Sequence, residues 1–233
     1  MGQLDPDSLA TGDLEILGLM AGSSNYTFLA RLCNGAEQLV VYKPRRGEAP
    51  LWDFMTGTLC HREVAAHLVA RAAGWNFVPW TILRDGPLGI GAVQQFIDHD
   101  PNVTAFDLAE GHSKELMQIA LFDVVSNNAD RKAGHVLIDG EGQLWGIDHG
   151  LCFHRHHKLR TVLWDYVGEE IPERDLAAVE RMLGELAGGL GAELAPLLHP
   201  AEVSALAARA AMVLESKVFP EPGPGRAYPW PPI

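Results

Sequence analysis

The feature that most constrains this chain is a change of pattern across residues 98–102. Before it, short β-branched and aromatic runs are cut by turn residues. After it, apolar residues recur mostly at helical spacing. Such a chain resolves into a sheet-rich part and then a helical part, α+β rather than alternating α/β. The runs "LEILGLM" (14–20), "YTFLARL" and "AEQLVVYKP" read as strands, the third stopping at Pro44. "AGSSN" and the stretch around Gly35 supply the turns between them. "CHREVAAHLVARAAG" then reads as a helix, with Val64, Leu68 and Ala72 on one face and Gly74 as its stop. "VPWTILRDG" and "GIGAVQQFID" form another antiparallel pair about Asp85-Gly86. The expectation is a five-stranded antiparallel sheet with one helix inserted after its third strand.

Beyond the change, "SKELMQIALFDVVSNN" reads as a helix capped by Ser113, with Leu116, Ile119, Ala120 and Val124 on its apolar face. "HVLID" and "QLWGID" are short strands joined at Gly140-Glu141-Gly142. "ERDLAAVERMLGELAGG" and "PAEVSALAARAAMVLESKV" are helices, and "FPEPGPGRAYPWPPI" is a Pro-rich tail, expected to be extended or disordered. The expected division is a first segment 1–13, a sheet lobe 14–97, a helical lobe 98–218 and the tail 219–233.

With 233 residues there is room for two small lobes around a common core. Apolar residues at 47% and charged residues at 21% are those of a chain that folds. The net charge of −12 repels nucleic acid and anionic membrane, so no nucleic-acid partner is expected. The basic runs, Lys43-Pro44-Arg45-Arg46 and 155–160, are short. No run approaches 18 apolar residues, so no membrane-spanning helix is expected. The first fifteen residues are acidic and do not read as a secretory signal. Three cysteines (Cys33, Cys60, Cys152) without a CxxC pair fit a reducing, cytoplasmic setting.

Phosphoryl transfer needs a close-approaching backbone loop over the phosphates, a fixed cation, oxygen ligands for a metal ion and an acid beside the attacking hydroxyl. Each has a candidate, in that order along the chain. Gly22, Ser23 and Ser24 lie in a turn whose N–H groups could meet phosphate oxygens; the plainer reading is a hairpin turn. Lys43 ends an apolar strand, where its ammonium meets an anion or merely blunts an edge. Glu63, on the helix that follows, is placed to pair with Lys43 or to face solvent near the helix start. Asp130 and Asp148 flank the short hairpin, which would bring both carboxylates to one mouth; each also suits a turn. Five of the ten histidines lie between 135 and 157 (His135, His149, His154, His156, His157), which keeps a His/Asp metal-dependent hydrolase open. No HExxH pattern accompanies them.

"NNADRKAGHVLI" and "LWGIDHGLCF" resemble the D-R-x-x-x-N and I-D-(F/N)-G pair of the phosphoinositide 3-/4-kinase-like superfamily. "IDHGLCF" is similar to the metal-binding segment of type II phosphatidylinositol 4-kinases and their bacterial relatives. "VVYKP" and "REVAAHLVA" resemble that group's Lys strand and Glu helix, and the likeness runs through most of residues 14–165. The chain also resembles a group of small actinobacterial kinase-related proteins. The resemblance implies a two-lobed protein-kinase-like fold and an ATP-dependent kinase using Mg²⁺ or Mn²⁺. Its acceptor would be a hydroxyl on a lipid head group, a protein or a small molecule. Asp130 would be the catalytic-loop acid, Asp148 the metal ligand, Lys43 the phosphate-binding lysine and Glu63 its partner. Gln95, Phe96 and Ile97 would be the hinge that holds adenine through its backbone. One position departs from the pattern: five residues after Asp130, where the group has Asn, stands His135. An imidazole suits Mn²⁺ or Zn²⁺ better than Mg²⁺. His135 then binds a softer metal, or contacts phosphate only, or marks a nucleotide-binding pseudokinase. Asn127 or Asn128 could stand in for it.

Overall fold

The computed structural model describes residues 6–20, 25–33 and 37–233. Strands β1 (Asp13–Leu19), β2 (Phe28–Cys33), β3 (Glu37–Pro44), β4 (Thr81–Gly86) and β5 (Gly89–Gln95) form one antiparallel sheet in the order β1-β2-β3-β5-β4. Helix α2 (Leu59–Ala73) is inserted between β3 and β4, as the pattern predicts. It ends at Gly74, whose φ of 75° is one that a residue with a side chain rarely adopts. One face of α2 sets Cys60 and Val64 against Ala92 of the sheet. The other sets Ala65, Ala66, Val69 and Ala70 into the core of the second half. A helix buried on both sides needs small side chains, which is why alanine dominates it and its apolar stripe is weak.

Ahead of the sheet lies α1 (Pro6–Thr11), which the sequence reading leaves as plain chain. Its Leu9 is fully buried with Leu32, Val40, Tyr42 and Val93. The carbonyls of Leu9 and Gly12 both accept from Arg84 Nη1 at 2.8 Å, so this segment is fastened to β4. The β4–β5 turn is Pro87-Leu88, two residues beyond the expected Asp85-Gly86. Proline fixes one φ there, and Gly89 takes a φ of 91°.

The second half contains α3 (Ala105–Leu108), α4 (Ser113–Ser126), the hairpin β6 (Val136–Ile138) and β7 (Leu144–Gly146), then α5 (Glu173–Leu186), α6 (Gly189–Leu194) and α7 (Pro200–Ser216). Ser113 does not cap α4; it is the first helical residue, and His112 takes the cap position without a side-chain bond. The helix expected over 173–189 breaks at Ala187-Gly188 and restarts as α6. The side chain of His199 caps α7, accepting from Ala201 N–H at 3.1 Å, and Glu202 answers by accepting from His199 N–H at 3.0 Å. Arg62 of α2 ties the halves together. It donates to Glu202 on α7 at 2.6 Å and to the Cys152 carbonyl at 2.7 Å.

The Pro-rich stretch 219–233 is neither helix nor strand, yet it is docked. Phe219 is buried, and Thr161 and Ala133 donate main-chain bonds to Ala227 and Pro232 at 3.1 and 2.8 Å. Of the two states expected of it, extended or disordered, the stretch takes an ordered one without helix or strand, because proline-rich chain lacks N–H donors but keeps carbonyls that others can reach. The whole is a two-lobed α+β arrangement. Among the described residues no helix is long and apolar enough to cross a membrane.

Candidate active site

Lys43 lies on β3 opposite Ala92 of β5, with its side chain turned toward α2. There it hydrogen-bonds to Glu63 Oε1, and its Nζ lies 3.2 Å from Asp148 Oδ1. Glu63 is buried, and its second oxygen accepts from the His149 N–H at 3.1 Å. One carboxylate of α2 therefore fixes both the lysine and the backbone beside Asp148. Burial raises the Glu63 pKa against the pull of the ammonium. Lys43 stays firmly charged, because Glu63 and Asp148 outweigh the burial that opposes its charge. Asp148 has a φ of 59°, a left-handed conformation that Asp tolerates better than most residues. This turn lifts the carboxylate off the strand end, and its side chain is 49% exposed. The Lys43 ammonium holds its pKa well below the usual carboxylate range.

Asp130 follows α4 by way of Asn127, whose φ of 57° ends the helix. Its N–H donates to Asn128 Oδ1 at 3.0 Å, and Asn128 Nδ2 donates to Asp123 Oδ1 at 2.9 Å. Lys132 Nζ stands 3.6 Å from Asp130 Oδ2. Burial pushes the Asp130 pKa up to about 6, against Lys132 and with help from Asp148. Lys43, Glu63, Asp130 and Asp148 line one cavity of about 130 Å³, together with Thr27 and Glu48.

Beneath this lies a group the sequence reading passes over. Arg131 and Asp123 are both fully buried and joined at 3.0 Å. Arg131 Nη1 also donates to the carbonyls of Ile147 (2.7 Å) and His135 (3.2 Å), and Nη2 meets His149 Nε2 at 2.8 Å. A single guanidinium thus clips α4 to both ends of the β6–β7 hairpin, which is why Asp130 and Asp148 open onto the same cavity. A signal existed: in "IALFDVVS" an acid interrupts an otherwise apolar helix face, and a buried acid needs a cation.

The remaining expectations divide. His135 Nε2 lies 3.3 Å from Asp148 Oδ2, and burial pushes its pKa down to about 4, leaving a neutral ring. Two donors bound side by side to one ion at the usual 2.0–2.1 Å stand roughly 3 Å apart. The Asp148–His135 pair is close to that, so the two heavy atoms are spaced as two ligands of one small divalent ion would be, once the ring hydrogen leaves Nε2. Asn127 and Asn128 do not stand in: the oxygen that would bind a metal accepts from Lys158 N–H (2.8 Å) in Asn127 and from Asp130 N–H (3.0 Å) in Asn128, and neither residue lines the cavity. Gln95, Phe96 and Ile97 do not line the cavity. The N–H groups of Gln95 and Phe96 are taken by the carbonyls of Trp80 (2.8 Å) and Leu39 (3.4 Å). Gly22, Ser23 and Ser24 lie outside the described residues. The five histidines do not form a centre. Among the described residues no three His, Cys, Asp or Glu side chains converge on a metal position, and the hydrolase reading has no such cluster to stand on.

No family model matches the chain. Protein Rv2133c of Mycobacterium tuberculosis is 42% identical, covering 96% of this chain and 93% of its own length. Phosphatidylinositol 4-kinase gamma 4 of Oryza sativa subsp. japonica is 32% identical over 45% of this chain, which corresponds to 22% of its own length. Among solved structures, the Helicobacter pylori proinflammatory kinase CtkA superposes with a TM-score of 0.54 at 14% identity, over 90% of this chain and 94% of its own. The Golgi casein kinase with Mn/ADP bound gives 0.57 at 14%, over 90% and 73%. Hydra Fam20 gives 0.53 at 15%, over 90% and 87%. At such identities these likenesses show the fold, which is protein-kinase-like.

Proposed function

This chain belongs to the family of protein Rv2133c of Mycobacterium tuberculosis, and we propose that it is an ATP-dependent phosphotransferase of the phosphoinositide 3-/4-kinase-like type. It would pass the γ-phosphoryl of ATP to a hydroxyl of a lipid head group, a protein or a small molecule. One observation carries the reading: a strand lysine paired with a helix glutamate, within 3.2 Å of Asp148, on the cavity that Asp130 also lines.

Lys43, held by Glu63, meets the phosphates as a fixed cation. Asp148 and His135 would hold a divalent ion, Mg²⁺ or Mn²⁺, which would supply charge neutralisation on the phosphate oxygens. Asp130 accepts the proton of the attacking hydroxyl, and its raised pKa suits a base working near neutrality. Arg131 and Asp123 keep the two acids in register. The expected adenine hinge, residues 95–97, does not line this cavity, and two of its N–H groups are bonded within the sheet lobe, so the adenine is not assigned to it. A net charge of −12 disfavours a nucleic-acid acceptor. The three free cysteines accord with a reducing, cytoplasmic setting.

His135 favours a second reading, a nucleotide-binding pseudokinase that regulates a partner. A thermal shift with ATP and Mg²⁺ or Mn²⁺, followed by ADP release and autophosphorylation, tests both. Metal-dependent binding with turnover supports the kinase, binding without turnover the pseudokinase, and no binding neither.

A further inference from the structure

The Pro-rich stretch does more than cover surface. Gly223 passes so close to His157 that a Cβ there would come within 2.2 Å of the ring Nε2. Ala227 O then accepts from both Thr161 N–H (3.1 Å) and Trp164 Nε1–H (3.0 Å). Pro229 is buried, and Pro232 O accepts from Ala133 N–H at 2.8 Å. Thr161 and Ala133 belong to two different segments that already lie side by side. Arg131 N–H donates to Arg160 O at 3.0 Å, and Val162 N–H to Arg131 O at 3.1 Å. One segment carries Asp130 and Lys132, and the other follows Asp148. The stretch therefore bonds across both, three residues from Asp130.

We infer that residues 226–233 form a positioning strap for the catalytic loop. The inference rests on the phosphotransferase reading for what the loop does, though not for whether the strap holds it. Ala133 is fully buried. Without Pro232 its N–H exchanges a fixed protein partner for water, and the loop loses one of the points that hold it in place. A shift of the loop carries Lys132 with it and loosens the 3.6 Å approach of Lys132 to Asp130. The strap touches neither Lys43 nor Asp148 in any bond described above, so its loss falls on transfer rather than on nucleotide binding. Main-chain carbonyls do the holding, which makes the strap indifferent to most side-chain changes within it.

A protease site placed between Gly225 and Arg226 lets the whole chain fold before it is cut. Release of the octapeptide should speed amide exchange at Ala133 and Thr161 by about tenfold or more. It should lower kcat by about 10²-fold while leaving the KM for ATP within about twofold. Synthetic peptide of the 226–233 sequence should restore both, and a scrambled peptide should restore neither. Ala133→Pro is the second probe and needs no cut. Lys132 has φ −89° and ψ 162°, which a following proline accepts, so the change removes the donor and sets the ring's Cδ where Pro232 O now lies, which displaces the strap. It should raise exchange at Thr161 and reproduce the fall in kcat in the uncut chain. Unchanged protection at Thr161 in Ala133→Pro, or turnover that survives loss of the octapeptide, overturns the strap. If the uncut chain transfers no phosphoryl at all, the kinase reading fails on its own, and amide exchange still decides whether the strap fastens the loop.

Discussion

Lys43 and Asp148, 105 positions apart in the chain, meet at 3.2 Å, and the same ammonium is bonded to Glu63. One cation therefore sits between a buried carboxylate that holds it and a half-exposed carboxylate that faces the cavity. The two contacts differ in kind, and the difference can be measured.

Removing Lys43 alone leaves Glu63 buried, with only the His149 N–H described as a further partner. An uncompensated buried charge costs about 3 kcal/mol or more. Lys43→Met should therefore destabilise the protein as well as stop turnover. The double change Lys43→Met with Glu63→Gln should be more stable than Lys43→Met alone, because no charge is then left unpaired. Urea unfolding of the two single variants and the double variant gives the coupling. Strict additivity would show that the pair does not act as a unit.

Asp130 gives a pH signature. Its pKa rises from an unfolded value near 3.8 to about 6 in the folded state. The folded state then binds the proton more tightly. The stability this contributes is full below about pH 4 and is lost as pH rises through about 6. Asp130→Asn removes the ionised form, so it should raise Tm at pH 8 and leave it nearly unchanged at pH 4. In the unmodified protein the acid limb of kcat/KM should fall near pH 6, and the Asn variant should lose about 10² to 10⁴ in rate. A variant less stable than the parent at pH 8 would refute the burial-driven shift.

His135 decides the metal. Its Nδ1 faces the Lys132 N–H at 3.4 Å, which places the ring hydrogen on Nε2, toward Asp148. Ligation through Nε2 requires that hydrogen to move to Nδ1. If the ring does ligate, Mn²⁺ accepts its nitrogen more readily than Mg²⁺, and His135→Asn should shift the optimum toward Mg²⁺ and raise transfer with it. The Mn²⁺/Mg²⁺ activity ratio of the two proteins is the readout. An unchanged ratio makes His135 a hydrogen-bond donor to Asp148 and nothing more.

The sheet and its inserted helix were legible because strand alternation, Gly74 and the Pro44 stop are local signals. The meeting of Lys43 with Glu63 was legible because it follows from element order. Ser113 was misread, since a serine one position inside a helix looks the same in sequence as one that caps it. The break at Ala187-Gly188 was hidden because apolar residues continue on both sides of it. Asp123 was legible as an acid on an apolar helix face, but its partner Arg131 and the strap were not, for a shared reason. Each works through contacts between distant segments, and in the strap those contacts are main-chain carbonyls that leave no trace in residue type. The tail's proline content pointed to missing donors and said nothing of its acceptors.

The measurement that bears most directly on the account is the ATP-induced thermal shift with Mg²⁺ or Mn²⁺, taken for the unmodified chain and for Asp148→Asn. Asp148 is the half-exposed carboxylate at the cavity, and its removal leaves the Lys43–Glu63 pair in place. The account predicts a shift that needs the metal in the unmodified chain. In the Asn variant the metal-dependent part should vanish, while the protein without ligand still folds. A metal-dependent shift of the same size in both proteins would remove Asp148 from the site, and no shift with either metal at saturating ATP would contradict the assignment of this cavity to a nucleotide.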